Sequence, residues 1–381
     1  MNRPATLTDW SRLTIAHDWS QPARASWAFR HVRELIPTAR VARGERPSPL
    51  PRRETGEQLP GVEELMRNGT TDGLLVLHQG VVVYEAYARG MRPNDMHIVM
   101  SVSKSFAGTL AGVLIERGAL AAEDDVVKHI PELAGTSFEG ASVRDLLDMR
   151  AGTNCADMNL DWAEWGPQFG WAPGTPSEPD AIAYLATFGN MHEHGGPFAY
   201  RSLHTDLLGL VLERAGGAPL AELLGSELWG PMGAESDADI TVNRHGFAVP
   251  NGGISTTLRD LGRFGRLLLA GTVEGRQVVP ASWIEDTLRG GPDSAAAFAG
   301  NKYEEYFPAG HYRNQWWVPA GGRVLVGLGA HGQHLYVDRN AGVVVAHVST
   351  MSMAHAKEER VATLATFRTI ADHLSAGAPR P

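Results

Sequence analysis

Apolar residues recur at helical spacing over residues 100–117, and this stretch is the most regular helix that the pattern predicts. Phe106 and Leu110 are part of its apolar face, and such a period is typical of a helix packed against a core. Gly108 and Gly112 lie in the same stretch. Their small size predicts that another element approaches this helix closely.

Alternating and continuous apolar runs predict strands near both ends of the chain. Residues 74–78 and 81–87 are rich in Val, Leu and Tyr and are separated by Gln79-Gly80, which is a hairpin turn signal. Four later runs predict further strands, at 314–318, 323–326, 333–337 and 343–349. A closing helix is predicted over 353–375.

The middle of the chain has helical patterns with serine, threonine and glycine at their ends. The predicted helices are a short one near 26–35 and others at 126–131, 142–149, 177–188, 204–215 and 256–269. The segment 155–176 holds Trp162, Trp165 and Trp171 without a helical or strand period. We interpret it as a packed loop or a pocket wall.

Strands at both ends with helices between them predict an α/β domain that is interrupted by a mostly helical one. We expect an N-terminal arm over 1–60 and a catalytic region over 61–381. Within that region the α/β part is expected at about 61–120 and 255–381, and the helical part at about 121–254. This division places residue 101 near the seam between the two parts, where ligand sites are common.

Composition is typical of a globular protein and excludes several classes of function. The 381 residues are 43% hydrophobic and 20% charged, and the net charge of −9 argues against binding to nucleic acid. A single cysteine, Cys155, excludes an intramolecular disulfide and a cysteine-based metal cluster. The sequence has no signal-peptide pattern and no apolar run of membrane-spanning length. We therefore expect a cytoplasmic protein with neither a membrane nor a nucleic acid as its partner.

Ser101 and Lys104 supply a nucleophile and a base at the start of the predicted helix. Residues three apart share a helix face, so the serine hydroxyl and the lysine amine can meet. A serine becomes nucleophilic when a base takes its proton, and a lysine can be that base when it is kept neutral. A serine cap followed by a solvated lysine is the alternative. The apolar neighbours of Lys104, one of only four lysines, argue against that alternative.

Two further motifs follow Ser101-x-x-Lys104 in the order known from one family of enzymes. They are Tyr200-Arg201-Ser202 and the segment 327–333, which begins Gly-Leu-Gly-Ala-His. With these motifs, residues 25–375 resemble the serine hydrolases related to class C β-lactamases and penicillin-binding proteins. Within that superfamily they are most similar to the 6-aminohexanoate-dimer hydrolase group. The resemblance implies a β-lactamase-like fold, with an antiparallel sheet flanked by helices and an inserted helical domain.

The resemblance also implies an acyl-enzyme mechanism. Ser101 is expected to attack an amide or ester carbonyl, Lys104 to take its proton, and Tyr200 to pass a proton to the leaving group. The backbone N–H groups of Ser101 and Ala330 are the expected oxyanion hole. Tyr200 as a structural core tyrosine and Asn251 as a plain turn residue remain alternatives. Substrate contacts are expected from Ser202, Asn251, Gly329 and His331.

The third motif departs from the family pattern. The segment 327–329 reads Gly-Leu-Gly where the family has Lys-Thr-Gly, so it carries neither the cation nor the hydroxyl that holds a β-lactam carboxylate. Ser202 replaces an asparagine, which suits the esterases and amidases of the superfamily. Hydrolysis of β-lactams is therefore doubtful as the main activity, unless Arg201 or His331 replaces the missing cation.

We expect no metal and no cofactor. The pairs His192/His194 and His331/His334 do not form a His-Glu-x-x-His pattern, and we interpret them as non-catalytic loop and strand residues, with His331 beside the pocket.

The predicted function is hydrolysis of small linear amides or esters through an acyl-enzyme. A transacylase and a carboxylesterase remain alternatives, and a β-lactamase or an inactive binding protein is less favoured. The expected partner is a small molecule, and homodimerisation is left open.

Overall fold

The computed structural model describes residues 19–20, 22–53, 58–155, 181–243, 245–352 and 356–376. The predicted aromatic segment with Trp162, Trp165 and Trp171 lies outside the described residues. So do 177–180 and 353–355, where two predicted helices were expected to begin.

The strands follow one another in chain order as β1 to β13. Their bounds are Thr38–Val41, Thr71–His78, Val81–Tyr87, Met96–Ile98, Ala238–Thr241, Ile254–Thr257, Thr272–Val273, Arg276–Gln277, His311–Arg313, Trp316–Val318, Val324–Gly329, Gln333–Asp338 and Val343–Ser349.

The α-helices of the described residues are numbered α1 to α13 in the same way. Their bounds are Pro22–Ala28, Val32–Leu35, Val62–Arg67, Ser103–Glu116, Val126–His129, Val143–Leu147, Ala181–Leu185, Ser202–Gly216, Leu220–Leu224, Leu258–Ala270, Ala281–Arg289, Ser294–Phe298 and Ala356–Ala376. Short 3-10 turns span Met100–Val102, Pro131–Leu133 and Ala330–Gly332, and a π-helical turn spans Gly225–Trp229.

Within the described residues, seven strands form the main antiparallel sheet in the order β3-β2-β13-β12-β11-β10-β9. The predicted hairpin is confirmed, since Gln79 and Gly80 have φ of +52° and +76° and connect β2 to β3. The predicted strand at 314–318 begins too early, because Asn314 and Gln315 both have positive φ and form the turn between β9 and β10.

Both faces of this sheet are buried, which explains the nearly continuous apolar runs in its central strands. In β2, Leu75 and Leu77 belong to the core on one face, together with residues of α4 and α10. Leu74 and Val76 belong to the core on the other face, with residues of α3 and α13. Successive side chains of a strand point to opposite faces, so one strand serves both cores.

Helix α4 lies inside the molecule, and its side chains from Ser103 to Leu114 are all buried. A Cβ on Gly108 would overlap the backbone carbonyl of Asn314, and a Cβ on Gly112 would overlap the indole of Trp283. The predicted close approach at these two glycines is confirmed. Trp283 lies on α11, which the sequence pattern did not predict.

A second, four-stranded sheet in the order β1-β5-β6-β4 was not predicted. Its strands are only three or four residues long, too short to show a reliable period of two. Strand β5 lies in the segment 121–254 that was expected to be mostly helical, and β1 lies in the expected N-terminal arm. The domain boundaries themselves stay a prediction. None of the described helices is long and apolar enough to cross a membrane.

Candidate active site

Ser101 lies in a tight turn between β4 and α4. The turn is a single 3-10 turn over Met100–Val102, and Met100 has a left-handed φ of +48°. A non-glycine residue in this region is strained and needs support from its surroundings. Strand β6 supplies it, because Val99 donates its N–H to Ile254 O at 2.9 Å, while Ile254 donates its own to Ser103 Oγ at 3.0 Å.

Lys104 is only 1% exposed, and its amine faces the serine. Its Nζ donates to Ser101 Oγ at 3.0 Å and to the main-chain oxygen of Asn251 at 2.6 Å. It also lies 4.9 Å from the centroid of the Tyr200 ring. Burial removes the water that would otherwise solvate an ammonium group. The first two sequence motifs therefore meet in one place.

Tyr200 is part of an aromatic wall. Its ring stacks on Trp317 with centroids 5.3 Å apart and packs against Tyr303 at the same separation. Tyr312 approaches it edge-on at 6.2 Å. The burial of Tyr312 raises the pKa of that tyrosine well above its usual value. Tyr312 therefore stays protonated and lines the wall as a neutral ring.

Arg201 precedes α8 in an extended conformation, with φ −136° and ψ 111°. Neighbouring side chains of an extended segment point in opposite directions. The side chains of Tyr200 and Arg201 therefore leave the backbone in different directions, and Arg201 Nη2 donates to Met191 Sδ at 3.5 Å. The hydroxyl of Ser202 is buried and has no hydrogen-bond partner among the described residues.

Strand β11 passes beside the turn of Ser101 and presents only backbone to it. A Cβ on Gly327 would lie 3.0 Å from Val102 Cγ1, and one on Gly329 would lie 2.6 Å from Val99 O. Leu328, between them, belongs to the core on the opposite face of the sheet. The 3-10 turn that begins with Ala330 follows directly and contacts the turn of Ser101.

His331 is held in a way that keeps it neutral. Its Nδ1 lies 3.0 Å from Met351 O, so this nitrogen carries the proton, and its ring packs edge-on against Phe29 at 5.1 Å. Burial lowers the pKa of His331, and the charge of Arg360 lowers it further. His331 therefore supplies no charge in place of the missing lysine, and Arg201 donates from Nη2 to Met191 Sδ while its Nε is buried without a partner among the described residues.

Arg360 on helix α13 reaches the end of β11, a contact that sequence reasoning did not predict. Its Nη2 donates to Gly329 O at 3.2 Å, and its guanidinium lies 5.6 Å from the centroid of the Tyr306 ring. Its Nε is buried without a partner among the described residues. The same part of the chain places no carboxylate within ion-pair distance of it.

Asn251, whose predicted contact with substrate stays a prediction, bonds to a carboxylate of α8. Its side-chain Nδ2 donates to Asp206 Oδ2 at 2.8 Å, and its main-chain N–H donates to Asp206 Oδ1 at 3.3 Å. Burial raises the pKa of Asp206 to about 7, although the bonds from Asn251 and the charge of Lys104 act in the opposite direction. The sequence signal that could have identified Asp206 is a carboxylate directly before the apolar run of α8.

The histidines that were considered as metal ligands make hydrogen bonds with the protein. His192 Nδ1 lies 2.8 Å from Glu193 O, and His194 Nδ1 accepts from the N–H of Gly152 at 3.0 Å. No cluster of three or more histidine, cysteine or acidic residues in the described ranges could hold a metal ion.

Comparisons with known proteins identify the family of this chain. Residues 62–366 match the family model described as Beta-lactamase. Over 348 residues the chain is 36% identical to the 6-aminohexanoate-dimer hydrolase of Paenarthrobacter ureafaciens, an alignment that covers 87% of each protein.

Solved structures share the fold. A Bacillus anthracis protein described as a 6-aminohexanoate-dimer hydrolase superposes with a TM-score of 0.85 at 24% identity, and the match covers 100% of both chains. EstCE1, a hydrolase with promiscuous acyltransferase activity, superposes with a TM-score of 0.60 at 16% identity, over 82% of this chain and 95% of its own. The β-lactamase-like fold and the resemblance inferred from the motifs are thus confirmed, and the chain belongs to the beta-lactamase family.

Proposed function

We propose that this chain hydrolyses small linear amides and esters through an acyl-enzyme at Ser101. The observation that carries the proposal is the buried amine of Lys104, which lies 3.0 Å from the Ser101 hydroxyl. This distance is within the reach of a general base for the proton that it removes. The relative named 6-aminohexanoate-dimer hydrolase gives the substrate class, a short chain with an amide bond.

The proton steps are assigned to Lys104 and Tyr200. Lys104 takes the proton from Ser101 Oγ as the oxygen bonds to the carbonyl carbon. Tyr200, whose ring lies beside the same amine, passes a proton to the leaving nitrogen or oxygen when the tetrahedral intermediate collapses. In the second half of the reaction, water replaces the leaving group and the proton transfers run in reverse.

Two backbone N–H groups are assigned to stabilise the negative charge of the tetrahedral intermediate. Ser101 lies in the first turn of a helical segment, where N–H groups have no acceptor within the helix. Ala330 begins the adjacent turn after β11. Such preorganised N–H groups commonly lower the barrier of acyl transfer by several kcal/mol. Gly329 contributes by letting the backbone of β11 approach Val99 closely.

Arg360 is proposed as the partner of a substrate carboxylate. It lies beside Gly329 and Tyr306, and among the described residues its Nε lacks an acceptor. A guanidinium keeps its charge at every pH at which the enzyme is folded and binds carboxylates with two parallel hydrogen bonds. A linear amide with a carboxylate at one end could place that end on Arg360 and its amide on Ser101. The hydroxyl of Ser202, which has no hydrogen-bond partner among the described residues, is proposed to contact the same substrate.

The proposal is tested by covalent labelling. A fluorophosphonate probe is expected to add mass to the peptide that contains Ser101, and Ser101→Ala should abolish both labelling and hydrolysis of p-nitrophenyl butyrate and 6-aminohexanoate dimer. Ser226→Ala is the matched control, because Ser226 is exposed and should not affect either. Labelling of another serine, or full activity of Ser101→Ala, would contradict the mechanism.

The same assay separates hydrolysis from acyl transfer. With an added primary amine, a hydrolase yields mainly free acid, whereas a transacylase yields mainly the new amide, and mass spectrometry distinguishes the two products. We expect free acid to predominate. Predominance of the amide would favour the transacylase alternative at the same serine.

A further inference from the structure

We propose that Asp206 is a positioning residue for Lys104, which it holds through Asn251, and that its charge sets the pH at which Lys104 becomes a base. The inference rests on the proposed function, because it assigns Lys104 as the base for Ser101.

The geometry of this network is a short chain of contacts. Asp206 is buried on α8 and accepts two hydrogen bonds from Asn251, one from the side chain and one from the backbone. These two bonds fix the peptide of Asn251. The carbonyl oxygen of the same residue then accepts from Lys104 Nζ at 2.6 Å. A carboxylate in this position therefore controls where the amine lies.

This arrangement fixes the direction of Lys104 more strictly than packing alone could. A lysine has four rotatable side-chain bonds and loses much conformational entropy when it is held in one position. The short bond to Asn251 O aligns the amine so that another of its hydrogens, or its lone pair when it is neutral, faces Ser101 Oγ at 3.0 Å. A shift of about 1 Å at such a contact can lower a rate by about two orders of magnitude.

Among the described residues, Lys104 is the charged side chain that acts on the Asp206 carboxyl. Arg201 directly precedes the same helix and His204 lies in its first turn, but both side chains make contacts elsewhere. Arg201 reaches Met191, and His204 Nε2 lies 2.9 Å from Thr153 Oγ1. Burial lowers the pKa of His204 to about 3, so this histidine is neutral at the working pH and does not compete with Lys104.

The sign of the effect follows from charge. An ionised Asp206 stabilises the ammonium form of Lys104 and so delays its conversion to a base as the pH rises. A neutral side chain at position 206 removes that stabilisation. Because burial raises the pKa of Asp206, its ionisation is moved towards the pH range in which activity would be measured. The pH profile of the enzyme should therefore report on this carboxyl.

The test compares pH profiles of kcat/KM for p-nitrophenyl butyrate. Asp206→Asn should lower kcat and move the midpoint of the rising limb to lower pH by about one unit, the size typical of a nearby charge. Asp206→Glu keeps the charge and should keep the midpoint, with a reduced kcat. Asn251→Ala removes the side-chain bond that lowers the pKa of Asp206 but keeps the backbone N–H that also donates to it, and should move the midpoint in the same direction as Asp206→Asn by a smaller amount.

Glu213→Gln is the matched control. This carboxyl lies two turns further along α8, and its burial also raises its pKa, but it accepts from the N–H of Leu220 and does not contact the site. It should leave the profile unchanged. Thermal unfolding shows that each variant is folded, and fluorophosphonate labelling shows that Ser101 is still present as the nucleophile.

Two results would overturn the inference. One is an unshifted midpoint in folded Asp206→Asn, and the other is an equal shift in Asp206→Glu. In either case, labelling at Ser101 would leave the proposed function intact. Loss of labelling at Ser101 in the unmodified enzyme would instead refute the proposed function itself.

Discussion

Among single residues, the cations near Ser101 have different surroundings and therefore different roles. Lys104 is buried and contacts the serine, Arg201 donates to Met191, and Arg360 reaches the end of β11. His331 adds no charge, because burial lowers its pKa. Arg360 is the cation that we propose as the partner of a substrate carboxylate.

Arg360→Gln should therefore separate two kinds of substrate. Loss of a charge-assisted hydrogen bond costs about 1.5–3 kcal/mol, so kcat/KM for 6-aminohexanoate dimer should fall roughly 10- to 100-fold. The uncharged p-nitrophenyl butyrate should be hydrolysed at nearly the same rate. Arg201→Gln is the control and should leave the ratio of the kcat/KM values for the two substrates unchanged. An equal loss for both substrates would mean that Arg360 supports the structure instead of the carboxylate.

The glycines of β11 lead to a second prediction for substrate choice. Gly327 and Gly329 offer neither a hydroxyl nor a cation to a β-lactam carboxylate, and both positions are closely packed against the turn of Ser101. We expect kcat/KM for p-nitrophenyl butyrate to exceed that for nitrocefin at least about tenfold, which corresponds to one lost interaction. Efficient nitrocefin turnover that disappears in Arg360→Gln would show that Arg360 holds the β-lactam carboxylate.

Among the helices and strands, α4 depends most on close packing. Its Gly108 faces the backbone of Asn314, the turn residue between β9 and β10. The next residue, Gln315, accepts from Ser105 Oγ with its carbonyl and from Thr205 Oγ1 with its side chain. This turn therefore joins the helix of Lys104 to α8, the helix that follows Tyr200.

Gly108→Ala should destabilise the protein although alanine is the better helix former. Alanine gains about 1 kcal/mol of helix propensity, but its Cβ would overlap a backbone oxygen, and overpacking typically costs 1–3 kcal/mol or more. We expect a net loss in the free energy of unfolding, measured by urea denaturation. Gly252→Ala is the control, because its Cβ would lie 3.8 Å from the nearest atom, in Met100. A more stable Gly108→Ala would contradict the packing described here.

In the molecule as a whole, the main sheet buries a pair of histidines that the proposed mechanism does not use. His334 and His347 are partners on β12 and β13, with their Nδ1 atoms 3.2 Å apart. Burial lowers the pKa of His347 to about 4 and that of His334 well below its usual value. Both are therefore neutral in the folded protein at neutral pH.

This pair predicts a loss of stability in acid. In the unfolded chain a histidine has a pKa of about 6.5, so between pH 6.5 and 4 the unfolded state binds more protons than the folded state. The contribution of His347 is complete above about pH 6.5 and is lost as the pH falls towards 4. For one such histidine the loss is on the order of 2–3 kcal/mol. The free energy of unfolding of His347→Gln, measured by urea denaturation, should decline less from pH 7 to pH 4.5 than that of the unmodified protein.

Comparing the pH dependence of the free energy of unfolding between the unmodified protein and His347→Gln isolates the contribution of this histidine. Asp206 has a raised pKa and contributes in the opposite direction, but it is present in both, so its effect cancels in the difference. The exposed His245 supplies the control variant His245→Gln, which should keep the steeper decline. Equal slopes in all three proteins would show that His347 does not cause the acid sensitivity.

The sequence by itself determined the family, the main strands and helices, and the motifs of Ser101, Lys104 and Tyr200. These features are local, because periodicity, caps and a three-residue spacing on one helix depend on neighbours in the chain. It also showed that the third motif lacks a lysine and a hydroxyl, because the residue types at 327–329 are known without any structure.

Only the tertiary structure decided which distant residues share the site. Asp206 and Asn251 meet behind Lys104, and Arg360 arrives at Gly329 from the last helix. The short strands of the second sheet likewise acquire their partners only on folding. These contacts depend on packing between elements far apart in the chain, and a single sequence carries no local signal for such packing.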